Sequence, residues 1–299
     1  MKNKITWRDR LVDPHSPDRR PRRVAYALPT LFTAGNIFLG FYALLEIFQG
    51  GMAMLGDATA APRHHFEVAA ISIGIAVFLD GLDGRIARMT NTVSDFGREM
   101  DSLADSVTFG IAPAILAFVW GVRFVDVAVD KATLDLLHRA GYFVSFLYLM
   151  CGASRLARFN VQKNPVPKNP GRPDRKYFVG LPIPSAAALV ASVVYAANSE
   201  PLRNWAASVA WLVLLGVLSF LMVSTWRYPS FKDLSLSQPR SPLTIIFLGS
   251  LIYLVFSFSQ PALLGMSACY VLSGIFLRIG GLMRRKMHPP PQQPEHQVG

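Results

Sequence analysis

Four aspartates crowd the stretch FLDGLDGRIARMTNTVSDFGREMDSLAD, residues 78–105. Asp80, Asp83, Gly84, Ala87 and Arg88 are spaced i, i+3, i+4, i+7, i+8, so on a helix they share one face. Gly97, Asp101 and Asp105 recur every four residues and share a face of the next helix. A short connection around 90–94 makes these helices antiparallel neighbours, and their acidic stripes can face each other. With no His or Cys among them, the carboxylates form a hard, oxygen-only ligand set suited to Mg²⁺ or Mn²⁺. Two such ions beside an arginine suit a diphosphate, one clamping the leaving oxygen and one the attacking side. An ion-pair network with Arg85, Arg88 and Arg98 would explain three of the acids. It would not explain the two glycines and the alanine on the same faces, which make room for a ligand as well as for helix contact.

The elements that hold these residues are membrane helices. The chain has 299 residues, 52% hydrophobic and 16% charged, against about 25% charged in an average soluble domain. Residues 177–199, 204–226 and 241–277 carry no charge at all. The last run, as one helix, would be about 55 Å long against a hydrocarbon core of about 30 Å. A carboxylate costs about 2.5–3.5 kcal/mol at the centre of a spanning helix, so four of them at a membrane border mark function.

Eight spans are expected: about 29–49, from 66 to the acidic turn, 100–122, 140–158, 182–198, 204–226, 241–258 and 262–283. The turn signal Ser259-Gln260-Pro261 divides the last pair. The fold class is all-α: a six-helix catalytic membrane domain over 29–226 followed by a C-terminal helix pair over 227–283. A basic arm (1–28) and a disordered tail (284–299) flank them. The 28 mostly polar leading residues do not read as a cleavable leader.

With the N-terminus in the cytoplasm, 25 of the 30 Lys and Arg fall on that side. Both termini and the acidic cluster are therefore expected at the cytoplasmic face. That topology, with attraction to anionic lipid, accounts for the formal charge of +11 without a nucleic-acid partner. Cys151 and Cys269 lie in apolar stretches, offer no disulfide framework, and read as small buried hydrophobes.

The spacing D-x2-D-G-x2-A-R-x8-G-x3-D-x3-D resembles the signature of the CDP-alcohol phosphatidyltransferases, with all eight fixed positions present from Asp80 to Asp105. The resemblance implies transfer of a phosphatidyl group from a CDP-linked lipid to an alcohol, with release of CMP. It implies two metal ions held by Asp80, Asp83, Asp101 and Asp105, with Asp105 also the general base. Gly84, Arg88 and Ser94 match positions that contact the CDP moiety, and Ala87 and Gly97 complete the lipid-nucleotide site. Thr33 and Asn36 fall where the family lines its donor pocket, although a lone Asn in a span also serves as helix–helix glue.

Three further segments, LPTLFTAGN (28–36), SDFGREMDSLADSVTFGIAP (94–113), and SRLARFN (154–160) with GLPIP (180–184), look like the branch whose acceptor is L-serine. Arg155, Arg158 and Asn160 would then meet the serine, the two guanidiniums taking its carboxylate. Both arginines also fit as ordinary inside-flanking charges. Thr30 stands where many members have Asn. CDP-diacylglycerol, L-serine and membrane lipid are the implied partners, and a homodimer the implied assembly.

Other readings stay within reach of the sequence. One is a different acceptor, such as glycerol 3-phosphate or inositol phosphate, or an archaeal-type ether-lipid donor. A membrane prenyltransferase would need a second Asp-rich motif. A divalent-cation transporter would place its acids near the midplane on broken helices.

Overall fold

The computed structural model describes residues 23–56, 61–90, 95–125, 130–161, 177–229, 249–250 and 253–287. The basic arm up to residue 22, Ser94 and the tail from 288 lie outside the described residues, as does most of the expected 241–258 span. The described chain is almost entirely helical: α1 (Arg23–Met54), α2 (Pro62–Thr90), α3 (Asp95–Asp105), a π-helical turn (Ser106–Ile111), α4 (Ala112–Gly121), α5 (Lys131–Val161), α6 (Ile183–Ala196), α7 (Trp205–Val223) and α8 (Ser259–Met287). One feature lies beyond the all-α expectation. Strands β1 (Tyr177–Val179) and β2 (Arg227–Pro229) pair antiparallel, Val179 opposite Arg227 and Tyr177 opposite Pro229.

Among the described residues, five helices are long and apolar enough to cross a bilayer: Leu31–Met54, Pro62–Leu82, Phe96–Gly121, Trp205–Val223 and Ser259–Gly280. The chain is a polytopic membrane protein. The expected 140–158 span lies within α5, whose 31 residues also carry Lys131, Asp135, Arg139, Arg155 and Arg158. The expected 182–198 span is the 14-residue α6, about 21 Å long at 1.5 Å per residue. It is nonetheless well enclosed, with Ile183, Ala186, Ala187, Val190 and Val194 all buried. Pro182 precedes it and Pro184 sits in its first turn, where a missing N–H costs nothing.

Residues 253–257 are helical, and the break falls at Phe258, whose N–H still reaches the Leu254 carbonyl at 2.9 Å. Pro261 then lies in the first turn of α8.

α1 and α2 form the most extensive helix pair. A buried His65 Nδ1–Glu46 Oε2 contact of 2.8 Å closes one end. Gly50 there lets the Phe66 ring against the α1 backbone. The α3–π–α4 rod runs unbroken, with right-handed helical dihedrals at Asp105, Ile111 and Ala112. It is locked to its neighbours through the π turn. Thr108 Oγ1 donates to the Asn36 carbonyl at 3.0 Å, and Tyr148 Oη donates to the Phe109 carbonyl at 3.3 Å. Gly40 on α1 faces Thr108 so closely that any Cβ would collide with it. Trp120 and Trp211 meet edge-on at 5.3 Å, and Trp211 Nε1 donates to the Ala117 carbonyl at 2.9 Å, fixing α7 on α4.

Large apolar side chains such as Phe38, Phe48, Phe78, Phe143, Phe220 and Phe276 stay exposed, the sides that lipid tails cover. Cys269, expected buried, is exposed on α8, while Cys151 is half-buried. In lipid an outward-facing thiol is as well solvated as a buried one, so an apolar surrounding sequence does not decide its side.

The ribbon hangs on Gly180, which has φ +77° and donates to the Trp226 carbonyl at 2.8 Å. A Cβ there would stand 2.6 Å from the Met222 carbonyl oxygen and 2.9 Å from that of Ser224. Gly180→Ala is expected to destabilise by about 1–3 kcal/mol, the cost of a strained backbone position. A thermal melt in detergent reads this, and an unchanged midpoint would contradict it.

Candidate active site

Asp80 sits at the last turn of the apolar part of α2, Pro62–Leu82. Asp101 and Asp105 are one turn apart on α3, and Asp105 is the last residue before the π turn. The helix pair brings the three together: each offers a carboxylate oxygen, and these oxygens all lie within 4.8 Å of one another. Asp105 is buried, and Asp101 Oδ1 is buried with no hydrogen-bond donor among the described residues. A buried carboxylate oxygen that no donor meets is costly unless a cation completes it. The three residues therefore fit a metal ion, and their all-oxygen chemistry favours a hard divalent one. Asp83, Gly84, Ala87 and Arg88 continue α2 over its last two turns, and their side chains lie outside the described residues. Gly97 occupies the exposed first turn of α3.

α1 closes one side of the cluster. Gly35 packs on Leu79, one residue before Asp80. Asn36 is wholly buried, yet neither its amide nitrogen nor its oxygen has a hydrogen-bond partner among the described residues. Thr33, one turn earlier, is also buried. Helix–helix glue requires a bond that the Asn36 side chain does not make, whereas a ligand-facing amide requires none until the ligand arrives.

Asn36→Leu should therefore leave the melting temperature unchanged or raise it, because it removes an unsatisfied buried group. The same change should raise the KM for the nucleotide-lipid donor several-fold. A lower melting temperature with an unchanged KM would assign Asn36 to packing instead.

α5 closes the other side. Asn160 Nδ2 donates to Ser102 Oγ at 3.0 Å and approaches Glu99 Oε2 at 3.4 Å. This pins the end of α5 beside Asp101. Arg155 lies within electrostatic reach of Asp105, Tyr270 and Arg158, and its Nε is buried without a hydrogen-bond partner among the described residues. Arg158 Nη1 donates to the Val223 carbonyl at 3.1 Å, so part of this guanidinium anchors the end of α7. Of the three α5 residues singled out in the sequence, Arg155 is thus electrostatically coupled to the cluster. Asn160 braces it, and Arg158 ties α5 to α7.

Sequence reasoning missed Ser102, the π turn, Tyr228 on β2 and Tyr270 on α8. Tyr228 on β2 is fully buried, and its hydroxyl has no partner among the described residues. Burial, with the Tyr270 hydroxyl adding to it, pushes Tyr228 up to about 12, so it remains a protonated donor at neutral pH.

Carboxylates from two neighbouring helices gather where an apolar span ends and could together hold a metal ion, with an amide buried and unpaired among the described residues nearby on α1. The chain belongs to the CDP-alcohol phosphatidyltransferase family, whose profile matches residues 26–221. It is 36% identical over 256 residues to the CDP-diacylglycerol–serine O-phosphatidyltransferase of Helicobacter pylori (strain 26695), covering 85% of this chain and 92% of that one. It is 32% identical over 207 residues to the protein of the same name from Bacillus subtilis, covering 69% of this chain and 91% of that one. The archaetidylserine synthase of Methanothermobacter thermautotrophicus is 32% identical over 213 residues, 71% of this chain and 73% of its own.

Proposed function

We propose that this chain transfers the phosphatidyl group of CDP-diacylglycerol to the hydroxyl of L-serine, giving phosphatidylserine and CMP. The observation that carries this reading is the convergence of Asp80, Asp101 and Asp105, signature residues of the family, beside Arg155. Relatives that match most of this chain and are named for serine transfer support the choice of acceptor.

Asp80, Asp83, Asp101 and Asp105 would hold two divalent ions, Mg²⁺ or Mn²⁺. Bound there, the ions supply charge neutralisation of the diphosphate, which makes CMP a good leaving group. The remaining work falls to the chain itself. Asp105 takes the proton of the serine hydroxyl as that oxygen attacks the lipid-side phosphorus. The new bond is serine oxygen to phosphorus, and the bond that breaks is phosphorus to the oxygen that leaves with CMP.

Arg88 would balance charge on the phosphates, with Gly84, Ala87 and Gly97 leaving room for the nucleotide and Ser94 contacting it. Thr33 and Asn36 line the donor side. Arg155 takes the serine carboxylate, and Asn160 keeps the end of α5 in place; Arg158 flanks them.

The positive-inside bias supports a cytoplasmic site with both termini on that side. Water-soluble serine and CMP exchange there while the acyl chains stay in the bilayer. In this reading α5 and α6 complete a six-helix catalytic domain with α1, α2, the α3–π–α4 rod and α7. Residues 227–283 add the C-terminal pair, and the enzyme works as a homodimer.

The test is CMP release by purified protein with CDP-diacylglycerol and Mg²⁺ or Mn²⁺, offering L-serine, glycerol 3-phosphate, inositol phosphate or no acceptor. Release that requires L-serine is expected. Release that requires another alcohol would overturn the acceptor while keeping the reaction type.

A further inference from the structure

α5 is hydrogen-bonded to the α3–π–α4 rod at two places. Deep in the fold, Tyr148 Oη donates to the Phe109 carbonyl at 3.3 Å. About three turns further along α5, Asn160 meets Ser102. Its Nδ2 donates to Ser102 Oγ at 3.0 Å, and its Oδ1 lies 3.3 Å from the same oxygen. Residue numbers rise along α5 as they fall along the rod, the order of two antiparallel helices held in one register. Asp105 falls between the two contacts on the rod, and Arg155 falls between them on α5.

The polar capacity of the outer pair is spent within α3. The Ser102 hydroxyl has one proton, which reaches the Arg98 carbonyl at 3.0 Å, so its oxygen is left to accept from Asn160. The Asn160 amide has two N–H groups, one on Ser102 and one facing Glu99 Oε2 at 3.4 Å. Neither is left for an incoming carboxylate, which sets Asn160 apart from the serine contact expected of it. Asn160 also sits in the last turn of α5, where the final carbonyls lack partners inside the helix and the end frays unless something holds it. Ser102 stands beside Asp101 and one turn before Asp105. The helix that steadies the end of α5 is therefore the one carrying two of the clustered acids.

We infer that Ser102 is a positioning residue of the acceptor side: through Asn160 it fixes the last turns of α5 in register with Asp105. This deepens the proposed serine transfer and rests on that reading for what α5 carries, an arginine that takes the acceptor's carboxylate. The inner contact at Tyr148 holds α5 to the rod by itself. Losing the outer contact thus leaves the fold standing and frees only the stretch beyond. The donor side, lined by α1 and α2, does not depend on it.

The test is steady-state kinetics on the full chain in detergent, with separate KM values for L-serine and CDP-diacylglycerol. The proteins are wild type, Ser102→Ala, Ser102→Thr, Asn160→Ala and the double alanine variant. Ser102→Ala is expected to raise the KM for serine about five-fold, within the worth of one net hydrogen bond. Asn160→Ala should do at least as much, since it also loses the Glu99 contact. The double variant should match Asn160→Ala, because the pair acts as one unit. Ser102→Thr keeps the hydroxyl and should restore the wild-type value. The donor KM and the thermal shift on adding Mn²⁺ should be the same in every variant.

An unchanged serine KM in Ser102→Ala would overturn the inference, as would effects that multiply in the double variant. Ser102→Thr behaving as Ser102→Ala would also overturn it. So would a donor KM and Mn²⁺ shift that move together with the serine KM, by showing a general structural role. If the wild type uses another alcohol, serine transfer fails by itself, and the same variants are run on that alcohol. A double variant no worse than Asn160→Ala, with rescue by threonine, then upholds the contact, and multiplying effects overturn it.

Discussion

Asp105→Asn is expected to abolish turnover while leaving a folded protein that still binds nucleotide. The substitution keeps the volume and shape of a buried side chain, so the α3–π–α4 rod has no steric reason to move. It removes the group proposed to take the serine proton, and general-base catalysis accounts for about 10²–10⁴ in rate. Losing a negative ligand from the aspartate cluster should add to that, so the expected fall in kcat is at least about 10³-fold. Thermal stabilisation by CMP should persist at reduced strength. Near-wild-type turnover would remove Asp105 from the chemistry. Loss of the folded protein would instead show that the π turn depends on this carboxylate.

The second large effect is expected at Asp101. One of its oxygens is buried and meets no donor among the described residues, and the other two acids of the cluster lie close by. Without a cation, such a group destabilises the fold, through both desolvation and like-charge repulsion. Asp101→Asn should therefore melt at an equal or higher temperature than wild type in the presence of a chelator. The order should reverse on adding Mg²⁺ or Mn²⁺. A ligand present at about 100 times its Kd stabilises by about 2.7 kcal/mol, and the variant should lose most of that gain together with more than about 10²-fold in activity. Equal metal-dependent shifts in both proteins would exclude Asp101 from the metal site.

The cluster was legible because chemistry and spacing coincide. Carboxylates at a membrane border are too costly to be incidental, and the i, i+4 spacing of Asp101 and Asp105 needs no tertiary information to put them on one face. Asp80 needed one further step, an antiparallel neighbour across a short connection, and that too follows from loop length.

The π turn was not legible, because nothing in Ser106–Ile111 distinguishes a π from an α turn. Its contacts, Thr108 to the Asn36 carbonyl and Tyr148 to the Phe109 carbonyl, come from helices distant in sequence. The β1–β2 ribbon escaped for a similar reason, since three-residue strands carry no readable alternation. Its real signal is Gly180, a residue that tolerates a positive φ.

Hydrophobic periodicity also fails within the spans, where lipid-facing and core-facing positions are both apolar. That is why Cys269 read as buried although it is exposed, and why Tyr270 stood unremarked in a run without charges. The C-terminal helix, which has no task legible in the sequence, packs on β2 through Tyr270 and Gly274, and only the fold shows that.

The most direct test of the central claim follows both halves of the reaction at once. Purified wild-type protein is given CDP-diacylglycerol, a divalent ion and labelled L-serine. The label in the lipid extract is then compared with the CMP released in the aqueous phase. The account predicts one labelled lipid per CMP, and neither product when the ion is chelated. CMP without labelled lipid, or labelled lipid formed equally well in the presence of chelator, would contradict it.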